Sequence, residues 1–79
     1  MGKMWIDVLC MHSKSGDIQP VAIIWDNGAK YYIDKVERVV FRASLKSGGV
    51  GIRYTCRIHD QMRYLFLEGD KWFIEKVQN

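Results

Sequence analysis

The chain has 79 residues, which suits a single domain over residues 1–79, and it is 48% hydrophobic and 27% charged, as a soluble globular protein is. Its formal net charge of +3 permits an acidic partner, but twelve basic residues diluted by nine acidic ones lack the clustering of a dedicated nucleic-acid binder. No apolar run approaches the roughly 20 residues of a membrane span, and no leader segment is evident, so we expect a cytoplasmic protein without a membrane partner.

The first two predicted strands lie in the N-terminal third of the chain. Met4–His12 is an apolar stretch with little alternation, which suits a strand covered on both faces or bent at a barrel corner. A polar connection leads to a second strand over residues 18–25. Pro20 lies near its start, where a missing N–H donor is tolerated.

The strongest local signal is the dipeptide Asn27-Gly28. Both residues accept positive φ, so they predict a type I′ hairpin turn into a third strand over residues 30–36. The cross-strand pairs that follow from this turn are Ile24 with Tyr31 and Trp25 with Lys30.

A longer hairpin is predicted over residues 39–58, with Gly48 and Gly49 as the central residues of a tight turn. This register sorts apolar and polar side chains onto opposite faces, as strands require. The segment 34–46 also holds a capping-box pattern and helical spacing, but a helix cannot produce the sorting, so we predict a strand. The apolar pairs are Leu45 with Ile52, Ala43 with Tyr54, Phe41 with Cys56 and Val39 with Ile58; the other face pairs Ser44 with Arg53, Arg42 with Thr55 and Val40 with Arg57.

The rest of the chain continues as a meander. A three-residue turn leads into a strand over residues 62–68, and Gly69-Asp70 turns the chain into a last strand over residues 71–77. The predicted fold is therefore all-β, with about six antiparallel strands in a strongly bent sheet or small SH3-like barrel. The three-residue turn consists of His59, Asp60 and Gln61, and the last hairpin pairs Glu68 with Lys71, Leu67 with Trp72, Phe66 with Phe73 and Leu65 with Ile74.

Aromatic and turn residues form a recurring pattern along these strands. They are Pro20, Trp25, Gly28, Tyr32 and Val36, then Arg53-Tyr54, Tyr64-Leu65-Phe66 and Trp72-Phe73-Ile74. The pattern resembles a family of small, uncharacterised bacterial proteins with a Trp-x-Gly hairpin, a Tyr-rich hairpin and a Trp-rich last strand. The resemblance implies a compact bacterial β domain and no particular activity.

Two cysteines and two histidines provide the ligand types of a structural zinc site. On a regular strand Cys56 and His59 point to opposite faces unless the turn swings His59 round, and neither Cys–His pair has a Gly-rich tight turn. We therefore expect no metal or other cofactor, no Cys10–Cys56 disulfide in a reducing cytoplasm, and an inert Cys56 thiol beneath Phe41. Nor does any arrangement indicate catalysis. The candidate ligands are Cys10, His12, Cys56 and His59.

Two surfaces are candidates for binding. A basic strand face near tyrosines can hold phosphates and stack single-stranded bases, or it can simply be a solvated face that discourages aggregation; it comprises Arg42, Lys46, Arg53, Arg57 and Arg63. Three aromatic residues can either anchor a protein interface or complete the core; they are Trp5, Trp25 and Tyr31. We predict a non-catalytic protein-interaction module with a protein partner or a homodimer, and nucleic-acid binding as the alternative.

Overall fold

The computed structural model describes residues 4–43 and 50–77. Over these ranges the chain forms seven β-strands and no helix, which confirms the predicted all-β class. In the same ranges no helix is long and apolar enough to cross a membrane. The strands are β1 (Met4–His12), β2 (Ile18–Ile24), β3 (Lys30–Tyr32), β4 (Lys35–Ala43), β5 (Val50–Ile58), β6 (Gln61–Glu68) and β7 (Lys71–Lys76).

The seven strands form one antiparallel sheet in the order β3-β2-β1-β7-β6-β5-β4, strongly curled into a half-barrel. About six strands were predicted. The additional one arises because the predicted third strand, residues 30–36, is divided where β3 ends at Tyr32 and β4 begins at Lys35.

The two residues between β3 and β4 carry the chain from one side of the sheet to the other. The N–H of Ile33 donates to the carbonyl oxygen of Val21 in β2 at 2.9 Å, and the N–H of Asp34 donates to that of Arg57 in β5 at 2.8 Å. Because consecutive residues reach β2 and β5, the two ends of the sheet meet here. The half-barrel is closed at this end.

The core lies on the inner face of the curled sheet. Leu65 and Cys56 are the largest fully buried side chains in the described ranges. Tyr54 is also buried, and its hydroxyl donates a hydrogen bond to the carbonyl oxygen of Ile18, which ties β5 to the start of β2. The buried cluster consists of Ile6, Ile23, Tyr54, Cys56, Ile58, Leu65, Leu67, Trp72 and Ile74.

The outer face carries an aromatic row that crosses four strands. Trp5 packs edge-on against Phe73 with ring centroids 5.4 Å apart, and Phe73 stacks on Phe66 at 4.6 Å. Phe66 contacts Tyr64 at 6.0 Å, and the guanidinium of Arg53 lies 4.8 Å from the centre of the Tyr64 ring. The pairs of this row that join two strands each contribute about 0.2–1 kcal/mol, so the row stabilises the sheet from outside.

The register of the last hairpin is the one predicted. Each predicted pair is present in the β6–β7 ladder. Gly69 has φ 61° while Asp70 is not at positive φ, which is the pattern of a type II′ turn. The confirmed pairs are Glu68 with Lys71, Leu67 with Trp72, Phe66 with Phe73 and Leu65 with Ile74.

The β2–β3 hairpin differs from the prediction by one residue. Gly28 has φ 86° and Asn27 does not have positive φ, so the type I′ turn is wrong. Instead the N–H of Gly28 donates to the carbonyl oxygen of Trp25 at 2.8 Å, and the N–H of Trp25 donates to that of Ala29 at 2.9 Å. The loop therefore has three residues and a left-handed Gly at its end. The observed pairs are Ile24 with Lys30 and Ile23 with Tyr31.

The β4–β5 ladder is shifted by four residues from the predicted register. Phe41 lies opposite Ile52, where Cys56 was predicted, and Val39 lies opposite Tyr54, where Ile58 was predicted. The shift is an even number of residues, so the described side chains of Val39, Val40 and Phe41 keep their predicted faces. Cys56 lies opposite Val36, so the prediction that it packs beneath Phe41 is wrong. The predicted turn residues Gly48 and Gly49, together with Ser44 and Leu45, lie outside the described residues.

The β5–β6 turn has two residues, one fewer than predicted. Its central residues, His59 and Asp60, have φ 50° and 61°, so both are left-handed as a type I′ turn requires. Neither is a glycine, and each therefore carries backbone strain of about 1–2 kcal/mol. The turn is held from outside, because the N–H of His59 donates to Oδ2 of Asp34 at 3.0 Å.

Candidate functional site

Of the five predicted nucleic-acid-binding residues, three have described side chains, Arg53, Arg57 and Arg63, and these three do not form one surface. Nε and Nη2 of Arg57 both lie 3.4 Å from Oε2 of Glu37, and Nζ of Lys35 lies 3.5 Å from Oε1 of the same carboxylate. Arg63 lies opposite Cys56 and therefore faces the inner side of the sheet, so the prediction that it extends the basic face is wrong. Lys46 and the side chain of Arg42 lie outside the described part of the chain.

Arg53 lies where it was predicted, on the outer face beside a tyrosine. Its guanidinium packs on the ring of Tyr64 at 4.8 Å, while its Nε is buried without a hydrogen-bond partner. The cation–π contact partly offsets that missing hydrogen bond.

The four candidate metal ligands are not brought together. Sγ of Cys10 lies 3.8 Å from Nε2 of His12. Cys56 is fully buried in the core, and the ring of His59 packs edge-on against Tyr31 at 5.3 Å. Within residues 4–43 and 50–77, no three His, Cys, Asp or Glu side chains are grouped closely enough to hold a metal ion.

Cys56 is buried, as predicted. Its thiol donates to the carbonyl oxygen of Tyr54 at 3.7 Å, and burial raises its pKa from 9.0 to about 12. The nucleophilic thiolate is therefore almost absent at neutral pH, and this sulfur is unreactive in the folded chain. Cys10 and Cys56 are both free thiols.

The three predicted interface aromatics lie on two different surfaces. Trp5 is 48% exposed on the outer face, where it packs on Phe73. Trp25 and Tyr31 are half-buried at one end of the half-barrel, packed against the core. They do not form one patch.

A cleft of about 480 Å³ lies between the start of β2 and the edge strand β4. Val39 and Phe41 belong to the inner face, because they pair with Tyr54, which is buried in the core, and with Ile52, which packs against it. Yet Val39 is 45% exposed and Phe41 is 71% exposed. Two apolar residues on the core side of the sheet are thus uncovered at the point where the half-barrel is open. The residues that line the cleft are Gly16, Asp17, Ile18, Gln19, Val36, Val39, Phe41, Ile52 and Tyr54.

A second cavity, of about 240 Å³, lies at the opposite end of the half-barrel. Its walls include Trp25 and Tyr31, and its polar rim is made by His59, Gln61 and Arg63. The cavity therefore combines residues that the sequence suggested for an interface, a metal site and a basic face. Its apolar floor is formed by Ile23, Ile58 and Ile74.

Comparison with known proteins finds no match: no family model, no curated protein and no solved structure matches the chain. The resemblance to the uncharacterised bacterial family therefore stays a prediction.

Sequence reasoning missed the cleft and the role of Gln61. Ile18 and Phe41 are far apart in sequence and come together only because the sheet curls. For Gln61 and Arg63, reading His59-Asp60 as a two-residue turn would have placed Ile58 opposite Gln61 and turned Arg63 inward, but neither turn residue is a glycine that would indicate such a turn.

Proposed function

We propose that the protein is a non-catalytic interaction module that binds an extended peptide segment of another protein along β4. The single observation that carries this proposal is the exposure of Val39 and Phe41 on the core face at the open edge of the sheet. A strand added there would cover both side chains and continue the sheet across the cleft.

The backbone of β4 supports strand addition. β4 is the last strand in the sheet order and spans Lys35–Ala43, so one side of a nine-residue strand has no neighbour within the described sheet. An edge of this length offers unpaired N–H and C=O groups to an incoming strand, and alternate side chains of that strand would enter the cleft.

Charge favours an acidic peptide over a second copy of this chain. β4 carries Lys35, Arg38 and Arg42 against the single acidic residue Glu37. Pairing two copies of β4 would bring two basic strands together, whereas an acidic strand would meet opposite charge. Charge complementarity of this kind raises specificity and the rate of encounter.

A titration with two matched peptides tests the proposal. The probe is the capped peptide Glu-Val-Thr-Val-Thr-Val-Glu, and its comparator has Lys in place of both Glu residues. We expect saturable binding of the acidic peptide, measured by NMR shifts in β4, and weaker binding of the basic one. Phe41→Ser should weaken binding at least tenfold, because covering one large apolar side chain contributes about 1.5–3 kcal/mol.

Tyr32→Ser is the matched control, because Tyr32 is a 60% exposed aromatic on β3, at the other end of the sheet order. Both side chains are exposed, so both variants should fold with stability within about 0.5 kcal/mol of the parent. Three results would each contradict the proposal. They are an equal loss of peptide affinity in Phe41→Ser and Tyr32→Ser, equal affinity of the parent protein for the acidic and basic peptides, and a dimer formed through β4 in sedimentation.

Nucleic-acid binding is the second candidate, supported by the contact of Arg53 with Tyr64 on an aromatic outer face. Titration with oligothymidylate at low and at physiological salt tests it, since phosphate contacts weaken steeply as salt rises. Binding that persists at physiological salt and is weakened by Arg53→Gln would support this candidate. Binding that is lost at physiological salt and is unchanged by Arg53→Gln would identify a non-specific electrostatic contact.

The proposed compartment is the reducing cytoplasm of a bacterium. The free thiols of Cys10 and Cys56 support this proposal.

A further inference from the structure

The cavity of about 240 Å³ at the closed end of the half-barrel has the composition of a small-molecule site. Its floor is apolar, since Ile23, Ile58 and Ile74 are all buried members of the core cluster. Trp25 and Tyr31 form aromatic walls, and the polar groups are confined to one rim. An apolar pocket with a few convergent polar groups is the usual form of a ligand site.

Arg63 supplies the charge at this rim. Its Nη1 donates to the carbonyl oxygen of Met62 at 2.8 Å, and its Nη2 donates to Oε1 of Gln61. These acceptors are uncharged and use two of the five N–H donors of a guanidinium. The ion pairs found in the described ranges involve Lys35, Glu37 and Arg57, not Arg63. Arg63 is therefore held in place without being neutralised.

Among the residues that line the cavity, Arg63 is the one Lys, Arg, Asp or Glu side chain, so the lining itself carries a positive charge. Lys76 lies opposite Arg63 on β7 but does not line the cavity. The carboxylates of Asp34, between β3 and β4, and of Asp60, in the β5–β6 turn, do not line the cavity either. Oδ2 of Asp34 accepts the N–H of His59, and Asp60 is exposed to solvent.

The rim is positioned by a strained turn. His59 and Asp60 both have positive φ, as a type I′ turn requires, and this strained arrangement persists where surrounding contacts impose it. The contacts here are the hydrogen bond to Asp34 and the edge-on packing of His59 against Tyr31. Both fix the rim relative to the aromatic wall.

We propose that this cavity binds a small aromatic carboxylate, with the ring between Trp25 and Tyr31 and the carboxylate on Arg63. An engineered apolar cavity of about 150 Å³ accepts benzene, so the larger volume here has room for a ring with a short carboxylate arm. Arg pairs with a carboxylate through two parallel hydrogen bonds, which fixes the orientation of the ligand. The cavity shares no lining residue with the β4 cleft, so this inference does not depend on the proposed function.

An NMR titration of the full chain with phenylacetate and its neutral analogue phenylacetamide tests the inference. We expect saturating shifts at Tyr31, His59 and Arg63, with phenylacetate binding at least tenfold more tightly than phenylacetamide. Arg63→Gln should abolish that preference. Arg53→Gln, on the outer face, should preserve it.

Several results would overturn the inference. They are equal binding of the acid and the amide to the parent protein, saturation at residues away from the cavity, an absence of saturable binding, or the same loss of preference in both arginine variants. If Arg63→Gln does not fold, the inference is tested by the affinities of the parent protein for phenylacetate and phenylacetamide alone. Tighter binding of N-acetylphenylalanine than of phenylacetate would assign the cavity to a protein C-terminus instead of a small molecule.

Discussion

At the scale of single residues, burial decides which groups are chemically available. Cys56 and Tyr54 lie together in the core, and both have raised pKa values. For Tyr54 the cause is burial first, followed by the proximity of Cys10, Cys56 and Asp17. Both groups are therefore held in their protonated, neutral forms, which suits an apolar core.

Cys56 should make the protein less stable at high pH. Its folded pKa of about 12 lies above its ordinary value of 9.0. The unfolded chain therefore loses this proton first, and stability that is complete below pH 9 is lost as the pH rises towards 12. The free energy of unfolding should fall by about 1.4 kcal/mol per pH unit from this group.

Urea unfolding of Cys56→Val at several pH values isolates this effect from that of Tyr54. The variant should show a shallower decline above pH 9 than the parent protein. Leu65→Val is the control, because it removes a buried methylene without removing a titratable group. Parallel pH profiles for Cys56→Val and the parent would contradict the assignment.

At the scale of strands and turns, local chemistry decided which registers were predictable. The β6–β7 pairs were predicted correctly because Gly69-Asp70 permits a two-residue turn and the apolar pairs beyond it agree. The β2–β3 register was wrong by one because Oδ1 of Asn27 accepts the N–H of Ala29 at 2.9 Å, which stabilises a three-residue loop.

The β4–β5 hairpin shows that the alternation of apolar and polar residues predicts which face a side chain occupies but not which residue lies opposite it. A register error of an odd number of residues moves every side chain to the wrong face, whereas an even shift leaves all faces unchanged. The predicted partner of Phe41 was Cys56 and the observed partner is Ile52, an even shift. The alternation of apolar and polar residues therefore predicted the faces correctly and could not determine the register.

A one-residue error in a turn had the opposite consequence for the candidate site. The expected three-residue turn would have placed Arg63 opposite Arg57 on the outer face. The observed two-residue turn places it opposite Cys56, so it reaches the cavity at the closed end. Sequence alone could not settle this, because His59 and Asp60 adopt positive φ only with the support of Asp34, which is distant in sequence.

The strained β5–β6 turn should respond to glycine. We expect Asp60→Gly to raise the free energy of unfolding by about 0.5–1 kcal/mol, because glycine adopts φ 61° without steric cost. Asp70→Gly is the matched control at the β6–β7 turn, where φ is not positive, and it should lower stability by a similar amount. Urea unfolding midpoints measure the change in stability of each variant. If both variants are stabilised, or neither is, the backbone at Asp60 is not strained.

At the scale of the whole molecule, the curled sheet is closed at one end and open at the other. The crossing at Ile33 and Asp34 joins the two sides of the sheet, and the cavity with Arg63 lies at that end. At the open end, the cleft lies between β4 and the start of β2. The hydrogen bond from the Tyr54 hydroxyl to the carbonyl oxygen of Ile18 lies beside this cleft. The two proposed sites follow from this difference between the ends.

The size of the domain makes the uncovered residues informative. A chain of 79 residues buries a smaller fraction of its surface than a larger domain does. Each large apolar side chain that stays outside the core therefore removes a substantial part of the free energy that burial could contribute to stability. Phe41 and Val39 lie on the core face and are exposed. A partner strand that covers them would add to the core of the module itself.

Amide hydrogen exchange with and without the acidic peptide tests strand addition along β4 most directly. Every second amide of an edge strand points away from its only neighbour, so these amides exchange quickly in the free protein. On binding, we predict that every second amide of Lys35–Ala43 gains protection, while the amides of Lys30–Tyr32 in β3 do not change. Protection confined to β3, or no change in β4 when the peptide is bound, would contradict strand addition at this edge.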